Sequence, residues 1–270
     1  MKGEFHIHTT YSDGMLSVRE ILEVLKGNID WFAITDHDVI DGSVEAFHLA
    51  KEYGLKSLVG IEISTYLKDE PIHILGYFKD DSKLYIIKDF LDEITRQRLE
   101  RLYKIKDLLL KHFNIDLDVS NMLSRKSVTR GTIAKEILRQ GFPYTKEEIF
   151  KKLIGNDCPC YIPVSRVTPR EASFLIHEAG GLAVLAHPVL LKKNDFKEVC
   201  KMGLDGIEAY YPVNTKEDTE KFKQFALEND LIVTCGNDFH YEGCLNHGNL
   251  LELSLEGKEL EEFINKVYER

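Results

Sequence analysis

The strongest constraint on the fold of this 270-residue chain is an alternation of short apolar runs with stretches of helical periodicity. Runs rich in β-branched and aromatic residues fall at 4–8, 30–36, 57–63, 72–78, 182–187, 205–210 and 231–236. Helical patterns lie near 17–26, 43–53, 169–179, 194–202, 215–229 and 257–268. Strands that alternate with helices predict an α/β fold of parallel strands and crossover helices, either a barrel or an open sheet. Ser17 and Thr168-Pro169 supply helix starts.

Residues 79–165 break this rhythm. They carry helical patterns near 83–112, 130–140 and 146–153 and no strand pattern, which predicts a helical insertion between 1–78 and 166–270. The insertion holds 17 Lys and Arg against 13 Asp and Glu, a surplus of four positive charges in a chain whose net charge is −10. An anionic ligand would be drawn to that side. The acidic total argues against wrapping long nucleic acid, which needs many Lys and Arg to neutralise phosphates. The apolar share of 43% fits a globular protein, and no run reaches the roughly 18 residues of a membrane span. Met1-Lys2-Gly3-Glu4-Phe5 lacks the apolar core of a signal peptide, and five cysteines form no closed disulfide framework, so a cytoplasmic protein is expected.

The chemistry gathers at strand ends. His6-Ile7-His8 places two imidazoles on one strand face, because alternate side chains point the same way. Asp36-His37-Asp38 closes the second run, Glu62 and His73 lie in the third and fourth, His187 ends the fifth, and Asp238-Phe239-His240 follows the seventh. In α/β folds the C-terminal edge of the sheet is where sites assemble. So many imidazoles and carboxylates on one rim would repel or stay protonated without cations, and nitrogen and oxygen donors without thiolate suit Mn, Fe, Zn or Mg. The pattern predicts a polynuclear metal site.

These residues resemble the successive motifs of the PHP (polymerase and histidinol phosphatase) superfamily: His6-Ile7-His8-Thr9, Tyr11-Ser12-Asp13-Gly14, Thr35-Asp36-His37-Asp38, Gly60-Ile61-Glu62-Ile63-Ser64, His73-Ile74-Leu75-Gly76-Tyr77, Leu185-Ala186-His187-Pro188 and Asp238-Phe239-His240. The spacing and the insertion are most similar to the branch of 3′,5′-nucleoside bisphosphate phosphatases and 5′–3′ exoribonucleases. The resemblance implies a distorted (β/α)7 barrel of the PHP type, with the insertion as a substrate cap and two or three divalent ions. His6, His8, Glu62 and Asp238 would surround one ion, with Glu62 bridging to a second held by His73 and His187. Asp13, His37 and His240 would hold a third, Asp13 standing where other branches have histidine. Asp36 and Asp38 would orient His37 or cap the next helix.

The implied reaction is phosphomonoester hydrolysis by metal-activated hydroxide, with Glu62, Asp238 and His240 at the reacting centre. The favoured substrate is the 3′-phosphate of a nucleoside 3′,5′-bisphosphate, with short 5′-phosphorylated oligoribonucleotides second. Arg130 matches an arginine of the relatives that faces the substrate phosphate, in Thr129-Arg130-Gly131-Thr132-Ile133-Ala134 where they read Gly-Arg-Pro-His-Ile-Ala. Arg166 is a second phosphate-binding candidate, and Asn237, where relatives have Ser, would touch substrate or shape its turn. Competing expectations are another small phosphomonoester such as histidinol phosphate, amidohydrolase chemistry, and a non-catalytic metal-binding module. Cys158-Pro159-Cys160 reads as a loop, and His48, His112, His177 and His247 as structural or solvated.

Overall fold

Apolar side chains on alternating strands and on one stripe of each helix must face a common interior, and the chain does this with two sheets flanked by helices. The computed structural model describes residues 1–123, 125–163, 167–244 and 247–270. In chain order come β1 (Lys2–Glu4), α1 (Val18–Leu25), β2 (Trp31–Phe32), α2 (Asp41–Leu49), β3 (Lys56–Ser57), β4 (Val59–Leu67), β5 (Glu70–Phe78) and α3 (Tyr85–Phe113). Then follow α4 (Arg130–Arg139), α5 (Lys146–Glu148), α6 (Pro169–Glu178), β6 (Leu182–Leu185), α7 (Phe196–Cys200), β7 (Gly206–Tyr210), α8 (Lys216–Glu228), β8 (Ile232–Cys235), β9 (Leu255–Glu256) and α9 (Gly257–Glu269). Ser17 and Thr168 cap α1 and α6 through capping boxes closed by Glu20 and Glu171.

The sheets have strand orders β3-β2-β1-β9 and β4-β5-β6-β7-β8. They meet at two seams, each a single parallel bridge, Ile7 to Phe239 and His37 to Glu62. The expected (β/α)7 barrel is therefore not formed as one closed sheet among the described residues. Two physical reasons are visible. β4 and β5 form an antiparallel hairpin turned by Lys68 and Asp69, both at positive φ, and β5 is also antiparallel to β6. Beyond Phe32, the Thr35 hydroxyl takes the Ile7 N–H at 3.1 Å, so a side chain fills a place that a ladder carbonyl would hold.

The interior between the sheets is filled by Phe5, Leu75, Tyr77, Val184 and Phe263, and a second cluster packs Ile176, Phe222 and Ile87 against the outer face of the five-stranded sheet. The long helix α3 joins two cores. Its first turns, at Ile87 and Leu91, pack on the sheet, whereas Leu102, Ile105 and Leu109 belong to a separate cluster with Ile133, Ile137, Ile149 and Leu153. No helix among the described residues is long and apolar enough to cross a membrane.

One buried acid makes stability pH-dependent. Glu4 has no exposed surface, and its Oε2 accepts the Leu251 N–H at 2.9 Å. Burial pushes its carboxyl up to about 7, against hydrogen bonds from Asn237 and Leu251. Between pH 4.5 and 7 the folded chain keeps a proton that the unfolded chain has released, so stability falls as pH rises through that window, by roughly 3 kcal/mol in all. Glu4→Gln is expected to raise Tm at pH 8 by about 4–6 °C, with the gain shrinking towards pH 5. Thermal melts of both proteins across this range check it, and a gain that stays constant with pH would contradict it.

Candidate metal centre

Strands and the turns beyond them deliver the side chains of the centre. His6 and His8 follow β1, Asp13 lies in the turn before α1, and His37 follows β2. Glu62 and His73 sit within β4 and β5, His187 follows β6, and Asp238 and His240 follow β8. Three of these turns carry positive φ at residues other than glycine: Asp38 at 54°, His187 at 28° and Asp238 at 51°. Such backbone is costly and persists where surrounding structure over-determines it.

Glu62 is the hub. One of its oxygens lies 2.8 Å from His73 Nδ1, 3.2 Å from His187 Nε2 and 3.4 Å from His6 Nε2. The other lies 2.8 Å from His37 Nδ1 and 3.2 Å from His8 Nε2. Asp238 Oδ1 approaches His6 and His8 at 3.4 and 3.1 Å, and Asp13 Oδ1 approaches His240 Nε2 at 3.2 Å. All nine residues named from sequence thus come together around a shared space. Four sets present ligand atoms within 4.8 Å of one another: His8, Asp13, His37 and His240; His6, His8, Glu62 and Asp238; His37, Glu62 and His73; and Asp238, His240 and His247.

Divalent ions fit these residues. His6 Nε2, both His8 nitrogens, His37 Nδ1 and Glu62 Oε2 are buried and, despite these short approaches, make no well-aligned hydrogen bond among the described residues, a cost that a protein avoids unless another group satisfies them. The donors are imidazole nitrogen and carboxylate oxygen, the set preferred by Mn, Fe, Zn and Mg.

The electrostatics of the ion-free cluster show how tightly it is coupled. Burial alone would raise Glu62, but His37, His73 and His6 hold its carboxyl well below the usual range. Asp238 is depressed in the same way, against burial, by His247 and His6. His8, opposed by burial but facing Asp238 and Glu62, is pushed up to about 10. Burial and the neighbouring charge of His8 push His240 down to about 4. Their rings stack at 4.2 Å, where two imidazolium ions would repel.

Neighbouring residues fasten the centre. Asp36 accepts from the Thr9 N–H at 2.7 Å, the Thr9 hydroxyl at 2.6 Å and the Ser12 hydroxyl at 2.5 Å, and so shapes the turn that carries Asp13. Asp38 accepts the Ser64 N–H at 2.7 Å and pairs with the buried Arg98 of α3. Neither aspartate caps α2, which has no side-chain cap. The Thr129 hydroxyl donates to Asp13 Oδ2 at 2.7 Å, and a Cβ at Gly131 would lie 2.9 Å from that same oxygen. Asp13 and Gly131 therefore fit against each other through this oxygen.

The centre opens into a cavity of about 990 Å³. Together with residues of the cluster its lining includes Arg98, Arg101, Arg130, Lys135, Tyr66 and Tyr161. Arg130 stacks over the Tyr161 ring at 5.2 Å and donates to Asn156 at 2.8 Å. Arg101 is buried, donates to the Val128 carbonyl at 2.7 Å and leaves Nε without a partner. Asn237 is not among the cavity's lining residues: it is fully buried, and its amide exchanges hydrogen bonds with the backbone of Leu253, which shapes the turn. Arg166 lies outside the described residues.

His247, read from sequence as structural or solvated, lies beside the centre: its Nδ1 is 2.7 Å from Asp238 Oδ2 and its ring 4.5 Å from that of His240. A histidine in a polar loop carries no periodicity that could have marked it. Glu208 was missed by the sequence reading, although an acid inside the apolar run Gly206-Ile207-Glu208-Ala209-Tyr210 was a signal that could have marked it. Arg98 and Arg101 were hidden in a helix rich in surface charge.

A mixed α/β fold with a buried histidine–carboxylate cluster at its strand ends defines a metal-binding protein. The chain belongs to the PHP domain family, whose model matches residues 4–155. It is 30% identical to a 5′-3′ exoribonuclease of Haemophilus influenzae over 93% of this chain and 95% of that one. Phosphoribosyl 1,2-cyclic phosphate 1,2-diphosphodiesterase of Eggerthella lenta is 27% identical over 88% and 93%. The 3′,5′-nucleoside bisphosphate phosphatase of Chromobacterium violaceum is 25% identical over 89% and 87%. Among solved structures, one assigned to metal-dependent phosphoesterases, from Bifidobacterium adolescentis, superposes with a TM-score of 0.85 at 28% identity and covers 98% of this chain and 96% of its own.

Proposed function

We propose that this metal-dependent phosphoesterase hydrolyses the 3′-phosphate of nucleoside 3′,5′-bisphosphates and also acts at the ends of short 5′-phosphorylated oligoribonucleotides. The observation that carries the reading is one cavity lined both by residues of the metal cluster and by Arg101 and Arg130. Its volume, about 990 Å³, is at the upper end of small-ligand sites and suits a nucleotide. The bisphosphate phosphatase and the exoribonuclease among the relatives support it.

Two or three divalent ions, when bound, would polarise the phosphoryl group and activate water. His6, His8, Glu62 and Asp238 would hold one, Glu62 with His73 and His187 a second, and Asp13, His37 and His240 a third. Asp238 and His240 both line the cavity and would stand beside the leaving alcohol. Arg101 and Arg130 would take the phosphate that is not cleaved, Arg130 by its planar fork. Tyr66 and Tyr161 would flank base or ribose. Residues 79–165 act in this reading as the substrate cap, and the five free cysteines suit a reducing, cytoplasmic setting.

The test is phosphate release by metal-loaded protein from adenosine 3′,5′-bisphosphate, short 5′-phosphorylated RNA, a ribose cyclic phosphate and histidinol phosphate. The bisphosphate is expected to lead; preference for histidinol phosphate or the cyclic phosphate would overturn the assignment. Arg101→Met and Arg130→Met should each raise KM for the bisphosphate by about 10- to 100-fold, the loss of one charge-assisted contact, while metal content stays unchanged. An unaltered KM would remove the cap arginines from substrate binding.

A further inference from the structure

We infer that Glu208, on β7, is a positioning residue that fixes two metal ligands at once; the inference rests on the metal centre proposed above. Glu208 has no exposed surface, and its two oxygens face two distant parts of the chain. Oε1 lies 2.9 Å from His6 Nδ1, and Oε2 accepts the backbone N–H of His187 at 2.7 Å.

Each contact has its own consequence. A carboxylate oxygen only accepts, so His6 must present N–H at Nδ1. That leaves the His6 Nε2 lone pair aimed at the space shared with Glu62 and Asp238, where the atom has no partner. The second contact holds the His187 backbone at φ 28° and ψ 60°, a conformation that histidine rarely adopts. His187 Nε2 then falls 3.2 Å from Glu62, on the oxygen that also faces His6. One acid therefore sets the tautomer of one ligand and the backbone of another on the same side of the hub.

The surrounding chain is shaped to let this happen. The ladder between β7 and β8 shifts register between Glu208 and Tyr210, an irregularity of the kind that re-aims side chains beside sites. Gly236, at the end of β8, is the gap through which His6 and Glu208 meet: a Cβ there would lie 2.1 Å from His6 Cβ and 2.3 Å from Glu208 Oε1.

Glu208→Gln tests the assignment without changing side-chain size. A glutamine has one acceptor oxygen. If that oxygen takes the His187 N–H, its NH₂ faces His6 Nδ1 and moves the ring proton to Nε2, the ligand atom; if it faces His6, NH₂ meets N–H at His187. Zinc affinity by chelator competition is expected to fall on the order of 10- to 100-fold, as for other partners behind metal ligands, with an unchanged circular dichroism spectrum. In wild-type protein loaded with zinc, ¹⁵N NMR of the His6 ring should show Nδ1 protonated and Nε2 bound to metal. A folded E208Q within twofold of the wild-type affinity, or a His6 bound through Nδ1, overturns this inference and leaves the proposed function standing. Should E208Q fail to fold, the wild-type NMR spectrum alone decides. A wild type that takes up no zinc, manganese or iron overturns both.

Discussion

Glu62→Gln is expected to lower kcat/KM by at least about 10³, equivalent to some 4 kcal/mol of transition-state stabilisation, and to reduce bound metal below one equivalent per chain. The size follows from its place. Five imidazoles, from His6, His8, His37, His73 and His187, lie between 2.8 and 3.4 Å from its two oxygens. Among the described residues no other reaches so many of the proposed ligands, and an amide in its place can bridge neither by charge nor by two equivalent oxygens. The fold should survive, because without the carboxylate the histidines can remain neutral. Activity assays with metal analysis and circular dichroism check this, and a folded variant with more than a tenth of wild-type activity and full metal would refute the bridging role.

The largest effect on stability is expected outside the ligands, at Arg98. Its guanidinium is buried, donates through Nε to Asp38 Oδ2 at 2.9 Å and through Nη2 to the Ser64 hydroxyl at 3.0 Å, and reaches the Val128 carbonyl at 3.3 Å. Arg98→Ala leaves the Asp38 carboxylate buried without its partner, a change that costs about 3–5 kcal/mol. Asp38 follows the proposed ligand His37, and its N–H donates to the Glu62 carbonyl at 2.9 Å, so the damage should reach the centre. Denaturant unfolding should show the loss. Replacing both partners, as Asp38→Asn with Arg98→Met, should recover part of it; equal instability of the single and double variants would show that Arg98 stabilises by packing and not by pairing.

How much of this was legible in the sequence depends on the range of the interaction that produces it. Helix and strand positions follow from local periodicity, and the proposed ligands stood out because pairs such as His6-Ile7-His8 and Asp238-Phe239-His240 recur at the ends of apolar runs. The antiparallel β4–β5 pair was legible in principle: only a few residues separate the runs at 57–63 and 72–78, too few for a crossover helix. Reading the whole alternation as parallel concealed it. Side-chain partners remote in sequence were not legible. The Arg98–Asp38 pair spans 60 residues and the Glu208–His6 pair 202, and neither leaves a periodic trace. Asn237 was ambiguous for a related reason, since a buried amide that closes a turn and an amide that touches substrate look alike until Leu253 is seen opposite it.

The central claim is that the cluster around Glu62 is a metal centre on which hydrolysis depends. The most direct measurement is metal content of the purified protein by inductively coupled plasma mass spectrometry, followed by chelation, phosphate-release assay and reconstitution with Mn, Fe or Zn. Two or three equivalents of divalent ion per chain, activity lost on chelation and activity regained on reloading are the predicted result. Phosphate release that continues undiminished in protein stripped of metal would contradict the account.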